Sequence, residues 1–381
     1  MALTDVNLFR IDGDLGSVSN IQTSALNGGP LAGTRNRIIN GDMRIDQRNA
    51  GASVSFAASA SGFPVDRFEF SNVTDGAWTG QRSTTAPTGF TNSLLLTVTT
   101  ADASVGATQF AITAQKVEGF NAADLGWGTA SARTVTLSFW IRSSLTGTFG
   151  GAFVNSAQDR SYPFTYTINS ANTFEYKTIT VTGDTSGTWL SDNGIGLRVY
   201  FGLGVGATYS GTAGSWSGSL LFSATGATSV VGTNGATFYI TGVQLEAGTV
   251  ATPFERRSYG QELSLCQRYY EKSYPTDVAV GANTGNANGS IMNVAINTAD
   301  FYSYGTFRFQ MTKRDIPTVI FYNPVTGQAG GFRGVSDATN NAVTTVATFI
   351  GHTGVGRVGA ASNNMSGGFV YAFHYSASAE L

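Results

Sequence analysis

The sequence predicts an all-β protein in which one short helix joins a large β-sandwich to a smaller one. Glycine accounts for 48 of the 381 residues and only 12% are charged, which is typical of short strands separated by many turns. Runs that alternate apolar and polar residues recur along the chain. Because crossover helices do not separate these runs, the pattern favours a two-sheet jelly roll over a barrel or a parallel α/β fold.

Residues 1–35 are predicted to form an extended N-terminal arm rather than a folded domain. They contain Gly28, Gly29, Pro30 and Gly33 and show little apolar periodicity. We therefore expect this arm to attach the protein to a partner.

Residues 36–254 are predicted to form the large jelly-roll sandwich. The first strand is expected from Arg37 onward, since Ile39, Met43 and Ile45 alternate with polar residues. Seven further stretches of this unit alternate in the same way, and the strands predicted from them are 66–70, 94–98, 110–116, 134–142, 174–181, 195–203 and 237–246.

Residues 255–274 are predicted to form the linking helix, because they are rich in helix-forming residues and contain no proline. Apolar side chains fall on two neighbouring faces of this helix. One face carries Leu263, Cys266 and Tyr270, and the other carries Leu265 and Tyr269. A helix that is apolar over so much of its circumference needs cover on more than one side. We therefore predict that these five side chains are assembly residues, packed between the two β units or against another subunit.

Residues 275–381 are predicted to form the smaller C-terminal β-sandwich. The alternating stretches in this unit are 290–297, 307–311, 318–322, 342–351 and 368–375. Five basic and five acidic residues follow Tyr274, so this domain is expected to be neutral.

Composition excludes several classes of function. A net charge of −2 and a pI near 5.7 give no electrostatic reason to expect nucleic-acid binding. There is no run of about 18 apolar residues, so a soluble protein without membrane insertion is expected. Cys266 is the only cysteine, and His352 and His374 are the only histidines. Neither a disulfide framework nor a His/Cys metal cluster is therefore available.

No catalytic residue or metal ligand is predicted. Any two of the 24 acidic residues could converge as the carboxylate pair of a glycosidase, but the sequence favours no pair. A non-enzymatic protein is expected.

Polar and aromatic residues on the outward faces of two strands are the candidate ligand-binding residues. Trp140 and Arg142 point away from the core in 134–142, and Arg198 and Tyr200 do so in 195–203. If the two strands are neighbours, these side chains form one patch suited to a sugar ring, to a partner chain or to a covering loop.

Two loop tryptophans complete the candidate set. Trp189 and Trp216 lie in segments rich in Gly, Ser and Thr, where an indole either stacks on a sugar or closes the end of a sandwich. The sequence leaves both roles open.

Several segments resemble bacteriophage tail-fibre proteins in order and spacing, from about Asn36 to the C-terminus. The segments are NRIINGDMRIDQR, PVDRF, LSFWIRSSLTGTFGG, ITGVQLEAGTVATPFERRSYGQELSLCQRYY and the terminal HYSASAEL. The resemblance implies a carbohydrate-binding-like jelly roll, a small β domain that ends the fibre, and a virion structural protein, made in the host cytoplasm, that usually forms a homotrimer.

One segment departs from the pattern that the resemblance implies. Carbohydrate-binding jelly rolls similar to this one often begin N-G-x-F-E, whose acidic residue helps to bind calcium, whereas Arg44 stands at that position here. No cofactor is therefore expected. A structural calcium ion held by Asp42 or Asp46 together with Glu246 stays an alternative, although Ca²⁺ takes about six to eight oxygen ligands.

The expected function is that of a phage fibre subunit that mediates host adhesion through weak, multivalent contacts with surface polysaccharide. The expected partners are further copies of the chain and, through residues 1–35, other tail or capsid proteins. The alternative is a purely structural head or tail decoration protein that recognises no glycan.

Overall fold

A computed structural model of the chain describes residues 34–283, 288–294, 300–301, 307–335, 338, 340–341, 345–360 and 368–381. The fold class is all-β, as predicted, and α1 (Tyr259–Gln267) is the one α-helix of the described residues. No helix within these ranges is long and apolar enough to cross a membrane. The predicted arm falls almost wholly on residues 1–33, outside the described part.

Residues 54–247 form a two-sheet sandwich. Its strands in chain order are β1 (Val54–Phe56), β2 (Ser61–Val65), β3 (Phe68–Asn72), β4 (Ala77–Ser83), β5 (Ser93–Thr100), β6 (Phe110–Glu118), β7 (Val135–Ser143), β8 (Gly147–Val154), β9 (Ser161–Ile168), β10 (Glu175–Val181), β11 (Ile195–Val205), β12 (Ser210–Gly211), β13 (Ser223–Ala224) and β14 (Thr237–Ala247).

Each layer of the sandwich is a six-stranded antiparallel sheet. The first sheet has the order β1-β4-β5-β14-β7-β10 and the second has the order β2-β3-β6-β11-β8-β9. From β5 onward the chain changes sheet at nearly every connection, which is the connectivity of a jelly roll. Strands β12 and β13 form a small separate parallel pair.

The core between the sheets follows the predicted alternation. Leu137 and Phe139 of β7 face Val199 and Phe201 of β11, and all four are buried. The rings of Phe139 and Phe201 meet edge to face with their centroids 5.1 Å apart. Such pairs add about 0.5–1.5 kcal/mol to the free energy gained from burial alone.

The strand predicted from Arg37 does not form. Asn40 and Met43 have positive φ angles of 60° and 58°, which bend the chain into a turn. The Asn40 side-chain amide donates to the Ile45 carbonyl (2.8 Å) and its oxygen accepts from the Ile45 N–H (2.9 Å). One side chain thus supplies the bonds that a neighbouring strand would have made.

The helix is shorter than the predicted 255–274. It starts at Tyr259 because the Ser258 hydroxyl accepts a hydrogen bond from the Gln261 N–H and caps the first turn. At the other end, Tyr270 already belongs to a strand. Pairing of that strand with the C-terminal strand of the protein overrides its helical propensity.

The predicted assembly residues of the helix pack mainly against the segment of the same chain that precedes the sandwich. Cys266 and Tyr269 are buried in a cluster with Ile39 and Ile45, while Leu263 and Leu265 are half-buried against it. Tyr270 is buried as well. Contact of these residues with a neighbouring subunit stays a prediction.

The C-terminal unit consists of two further sheets. Its strands are β15 (Tyr270–Lys272), β16 (Ile291–Val294), β17 (Asp300–Phe301), β18 (Phe307–Arg308), β19 (Thr318–Tyr322), β20 (Phe332–Gly334), β21 (Asn340–Asn341), β22 (Thr345–Gly351), β23 (Gly354–Ala360) and β24 (Val370–Ser378). Strand β24 pairs with β15, β16, β19 and β20, and β23 pairs with β17, β18 and β22.

Aromatic side chains fill the space between these two sheets. Phe321 and Phe373 meet edge to face at 5.0 Å, and Phe307 lies 4.6 Å from Tyr375. The core of this unit is therefore separate from that of the sandwich.

Candidate functional site

The outward-facing residues predicted to form one patch lie on opposite sides of the molecule. Trp140 and Arg142 belong to β7 in the first sheet, whereas Arg198 and Tyr200 belong to β11 in the second. The predicted patch is therefore wrong. Alternation along a strand shows which residues face outward, but it does not show to which sheet the strand belongs.

Arg198 and Tyr200 line a groove of about 190 Å³ on the outer face of the second sheet. Strands β3, β6 and β11 form its floor. The complete lining, called the groove below, is Glu69, Ser71, Phe110, Ile112, Ala114, Lys116, Gln158, Arg198, Tyr200 and Phe222.

One wall of the groove is aromatic. The ring of Phe222 lies 5.0 Å from Tyr200 and 4.7 Å from Phe110, and Tyr209 supports it from 5.0 Å. The Phe222 N–H donates to the Tyr209 carbonyl at 2.8 Å, which fixes the loop that carries the phenylalanine. The wall is thus a preformed set of ring edges and faces of the kind that packs against the C–H surface of a ligand.

The other end of the groove is charged. Lys116 Nζ lies 2.9 Å from Glu69 Oε2 and donates to the Leu381 carbonyl at 2.7 Å. Arg198 Nη1 donates to the carbonyls of Asn155 and Ser156. These bonds hold the two cations in place, and burial lowers the pKa of Arg198 from its ordinary value.

The Tyr200 hydroxyl is available to a ligand. No hydrogen bond to it is found within the described part of the chain, although the residue is largely buried. Burial raises the pKa of Tyr200 to about 12, an effect that Arg198 opposes and Glu69 reinforces. At neutral pH this side chain is therefore a phenol that can both donate and accept a hydrogen bond.

Trp189 and Trp216 lie at one end of the sandwich, in a cluster with Trp127. The three indoles meet edge to face, with centroids 4.7 to 5.5 Å apart. Each indole N–H donates to a backbone carbonyl. Trp127 donates to Arg133, Trp189 to Ser186, and Trp216 to Thr182. The indole N–H groups are therefore already bonded within the chain, and Trp189 and Trp216 pack half-buried against the core at this end of the sandwich. Stacking of their rings on a sugar stays a prediction.

Trp140 and Arg142 lie on the outer face of the first sheet, among other aromatic residues. Trp140 is 5.4 Å from Tyr176 of the edge strand β10. The guanidinium of Arg142 lies 4.9 Å from the ring centroid of Tyr239. This surface is distinct from the groove, since the two sheets turn their outer faces in opposite directions.

Sequence reasoning missed most of the groove. In β6, Phe110, Ile112 and Ala114 lie on the outer face while Ala111 and Val117 belong to the core. Apolar residues on both faces of one strand indicate that its outer face is covered, and that signal was available in the sequence. Nothing in the sequence indicated that the loop before β13 brings Phe222 to this face.

The residues considered for calcium do not fit such a site. Asp42 Oδ2 lies 2.5 Å from Arg44 Nε, and Asp46 accepts from the backbone N–H groups of Asn49 and Gly51. The Glu246 carboxylate is bonded to Gln244 and Thr252. No group of three acidic, histidine or cysteine side chains that could hold a metal occurs among the residues that the structure describes.

Comparison with known proteins gives only weak structural likenesses. No protein-family model and no curated protein matches the chain. The enzymatically active domain of tailspike protein 4 of bacteriophage CBA120 is 14% identical over 56% of this chain, with a TM-score of 0.29, and the match spans only 21% of the tailspike chain.

A family 11 carbohydrate-binding module from Clostridium thermocellum, solved with a mixed-linked tetrasaccharide, is also similar. It is 10% identical, with a TM-score of 0.26, and the match covers 49% of this chain and 91% of the module. Likenesses this weak assign neither a fold nor a function to the present chain.

Proposed function

We propose that the groove binds a glycan and that the protein is a phage fibre subunit that adheres to host-surface polysaccharide. The observation that carries the proposal is the pairing of an aromatic wall, formed by Phe110, Tyr200 and Phe222, with a charged end that contains Glu69 and Arg198. Sugar rings offer apolar C–H faces and ordered hydroxyls, so they suit aromatic surfaces combined with a few fixed polar groups.

The apolar and polar residues of the groove contact different parts of the sugar. Phe110 and Phe222 contact the face or edge of a sugar ring. The Tyr200 hydroxyl and the Glu69 carboxylate bond to its hydroxyls, and Gln158 reaches the ligand from an exposed turn. Since Lys116 is paired with Glu69 and Arg198 Nη1 is bonded to two backbone carbonyls, both cations already have partners, and a neutral glycan segment is the matching ligand.

A groove of this size contacts only a short stretch of polysaccharide, so each individual contact is weak. Several copies on one particle raise the overall affinity through effective concentration, without any new contact. The proposal therefore includes a homotrimer on a virion, attached to tail or capsid proteins through residues 1–35. The resemblance of the sequence to tail-fibre proteins supports this part of the proposal. Light scattering at micromolar concentration should give the mass of a trimer, and the mass of a monomer would contradict it.

The direct test is glycan-array and host-cell binding by the full chain and by two groove variants, Tyr200→Phe and Glu69→Gln. Both variants remove one polar contact while keeping the side-chain volume. We expect binding to fall about fivefold to tenfold in each, since one hydrogen bond to a ligand contributes about 1 kcal/mol and somewhat more when it is charged.

The matched control is Tyr259→Phe, which removes the same hydroxyl from an exposed tyrosine of α1 and should leave binding unchanged. Unaltered binding by both groove variants would overturn the site. Absence of binding to any glycan or host cell would favour the decoration protein instead.

We further propose that the groove binds its glycan without cleaving it. Glu69 is held in an ion pair with Lys116, an arrangement that suits a hydrogen-bond acceptor rather than a proton donor. Polysaccharide chain length should therefore be unchanged after incubation with the protein. Shortened chains would identify a depolymerase.

A further inference from the structure

The outer face of the first sheet carries a continuous strip of aromatic side chains. Trp140 lies 5.4 Å from Tyr176, and Phe90 lies 5.2 Å from Phe254. Gly242 joins the two pairs: a Cβ at this position would lie 2.8 Å from Phe90 and 3.0 Å from Trp140, so only glycine lets the rings approach. These four aromatic residues, Tyr176, Trp140, Phe90 and Phe254, are called the outer strip below.

The polar groups of the outer strip are free, unlike those at the end of the sandwich. The indole N–H groups of Trp127, Trp189 and Trp216 all donate to carbonyls. For the Trp140 indole and the Tyr176 hydroxyl, no partner occurs in the described ranges, and Tyr176 is 43% exposed. The outer strip thus offers both ring faces and hydrogen-bond donors to solvent.

Two arginines flank the outer strip without a carboxylate partner. The guanidinium of Arg142 lies 4.9 Å from the Tyr239 ring, and that of Arg256 lies 4.7 Å from the Phe90 ring. Neither forms an ion pair with any described residue, and Arg142 Nε is buried without a hydrogen-bond partner. By contrast Glu175, the residue before Tyr176, is already bonded to a lysine, an asparagine and a backbone N–H.

We propose that the outer strip is a second binding surface, and that its ligand is an acidic polysaccharide whose sugar rings carry carboxylates. The rings stack on Trp140 and Tyr176, and the carboxylates pair with Arg142 and Arg256. A guanidinium spread over an aromatic face still presents its N–H edge, which matches a carboxylate in two parallel hydrogen bonds.

The spacing along β7 supports this assignment. Arg142 follows Trp140 by two residues on the same face, at roughly 7 Å along the strand. A sugar ring stacked on the indole therefore has its carboxylate within reach of the guanidinium. Because the outer strip and the groove face opposite ways, one molecule would hold an acidic and a neutral glycan segment at the same time.

Calorimetric titration of the full chain with oligogalacturonate and with its methyl ester tests the proposal, because esterification removes the charge of each carboxylate and leaves the sugar rings unchanged. We expect the acid to bind at least about tenfold more tightly than the ester at low salt. Arg142→Gln should weaken that preference, since only Arg256 then remains to pair with a carboxylate, and Arg142→Lys should restore part of it. Tyr176→Ala should weaken the binding of both probes by removing the stacking surface.

Two control variants separate site binding from general polyanion attraction. Arg308→Gln removes an exposed arginine of the C-terminal unit, and Tyr259→Ala removes an exposed tyrosine of α1; neither should alter the affinity for oligogalacturonate. Equal affinity for acid and ester, no binding of either, or an equal loss in Arg308→Gln would overturn the proposal. Tyr200→Phe should leave this affinity unchanged, so failure of the outer strip is distinguishable from failure of the groove.

Discussion

At the scale of single residues, buried charges hold the helix against the sandwich. The Glu118 carboxylate at the end of β6 accepts two hydrogen bonds from Arg268 (2.8 and 2.5 Å) and one from the Tyr269 hydroxyl (2.6 Å). The carboxylate itself is fully buried. Loss of an acceptor with three donors leaves polar groups without partners, and this costs more than the bonds themselves contribute.

We therefore predict that Glu118→Gln lowers the free energy of unfolding by about 2–3 kcal/mol. Urea unfolding followed by fluorescence measures it. The matched control is Asp124→Asn, because Asp124 is 48% exposed in its pair with Arg37 and an exposed ion pair contributes less than about 1 kcal/mol. Equal effects of the two substitutions would contradict a structural role for Glu118.

His374 makes the stability of the C-terminal unit depend on pH. Its ring stacks on Tyr274 with centroids 3.8 Å apart, and its Nδ1 lies 3.0 Å from the Ser273 hydroxyl. That hydroxyl oxygen accepts from the Tyr375 N–H, so its own proton is free for a neutral imidazole. Burial and the charge of Lys272 lower the pKa of His374 from 6.5 to about 4.

Between about pH 6.5 and 4, His374 is therefore neutral in the folded protein and protonated in the unfolded chain. The free energy of unfolding should therefore fall as the pH is lowered from about 6.5 to about 4, by up to about 3 kcal/mol for this residue. His374→Phe keeps the stacking on Tyr274 and should remove this part of the pH dependence.

Chemical denaturation at half-unit pH steps measures the effect as a difference between the two proteins. The comparison is needed because burial raises the pKa values of Asp46, Asp66 and Glu262, and these carboxyls contribute with the opposite sign. Parallel curves for the wild type and His374→Phe between pH 6.5 and 4 would refute the assignment.

At the scale of elements, alternation in the sequence predicted which faces of the strands are buried. Leu137 and Phe139 of β7, and Val199 and Phe201 of β11, face inward as expected. The same pattern did not show that β7 and β11 lie in different sheets. Sheet membership depends on the path of the chain between strands, and residues such as Gly and Ser in those connections constrain that path weakly.

The ends of the helix depend on contacts that its own sequence does not specify. Glu255 was predicted to be helical, yet its carboxylate accepts from the backbone N–H groups of Arg35 and Asn36, more than two hundred residues earlier. The Glu255 N–H itself donates to the Gln244 side chain. Tertiary bonds of this kind outweigh helix propensities, which differ by less than about 1 kcal/mol per residue.

Ser258 is the residue that starts the helix, so we predict that Ser258→Ala lowers the free energy of unfolding by about 1 kcal/mol. Ser258→Asp keeps an acceptor for the Gln261 N–H and should retain most of the stability. Thermal unfolding of the three proteins measures both changes. An alanine variant as stable as the aspartate variant would show that the cap does not stabilise the helix.

At the scale of the whole molecule, the last residues of the chain tie the C-terminal unit to the sandwich. The Glu380 carboxylate is paired with Arg67 and, at 3.0 Å, with Arg48. The Leu381 carbonyl accepts from Lys116, which lines the groove. The C-terminal unit therefore helps to position a cation of the proposed glycan site.

The six candidate ligand residues are spread over three surfaces of the molecule. Arg198 and Tyr200 line the groove, and Trp140 and Arg142 lie on the opposite sheet. The two loop tryptophans lie in contact at one end of the sandwich. The alternation was informative about direction, because these four strand residues lie outside the core between the two sheets. Which of these residues lie on the same surface could not be predicted, since that depends on which strands pair.

The central claim is that a glycan binds in the groove of the second sheet. Hydrogen exchange of the full chain, with and without a neutral oligosaccharide that it binds, tests this claim most directly. We predict slower exchange in residues 155–160 and 219–224, which carry Gln158 and Phe222 at the border of the groove, and no change in residues 86–92 and 169–173 beside the first sheet. Protection of the latter two segments instead, or no protection anywhere, would contradict the account.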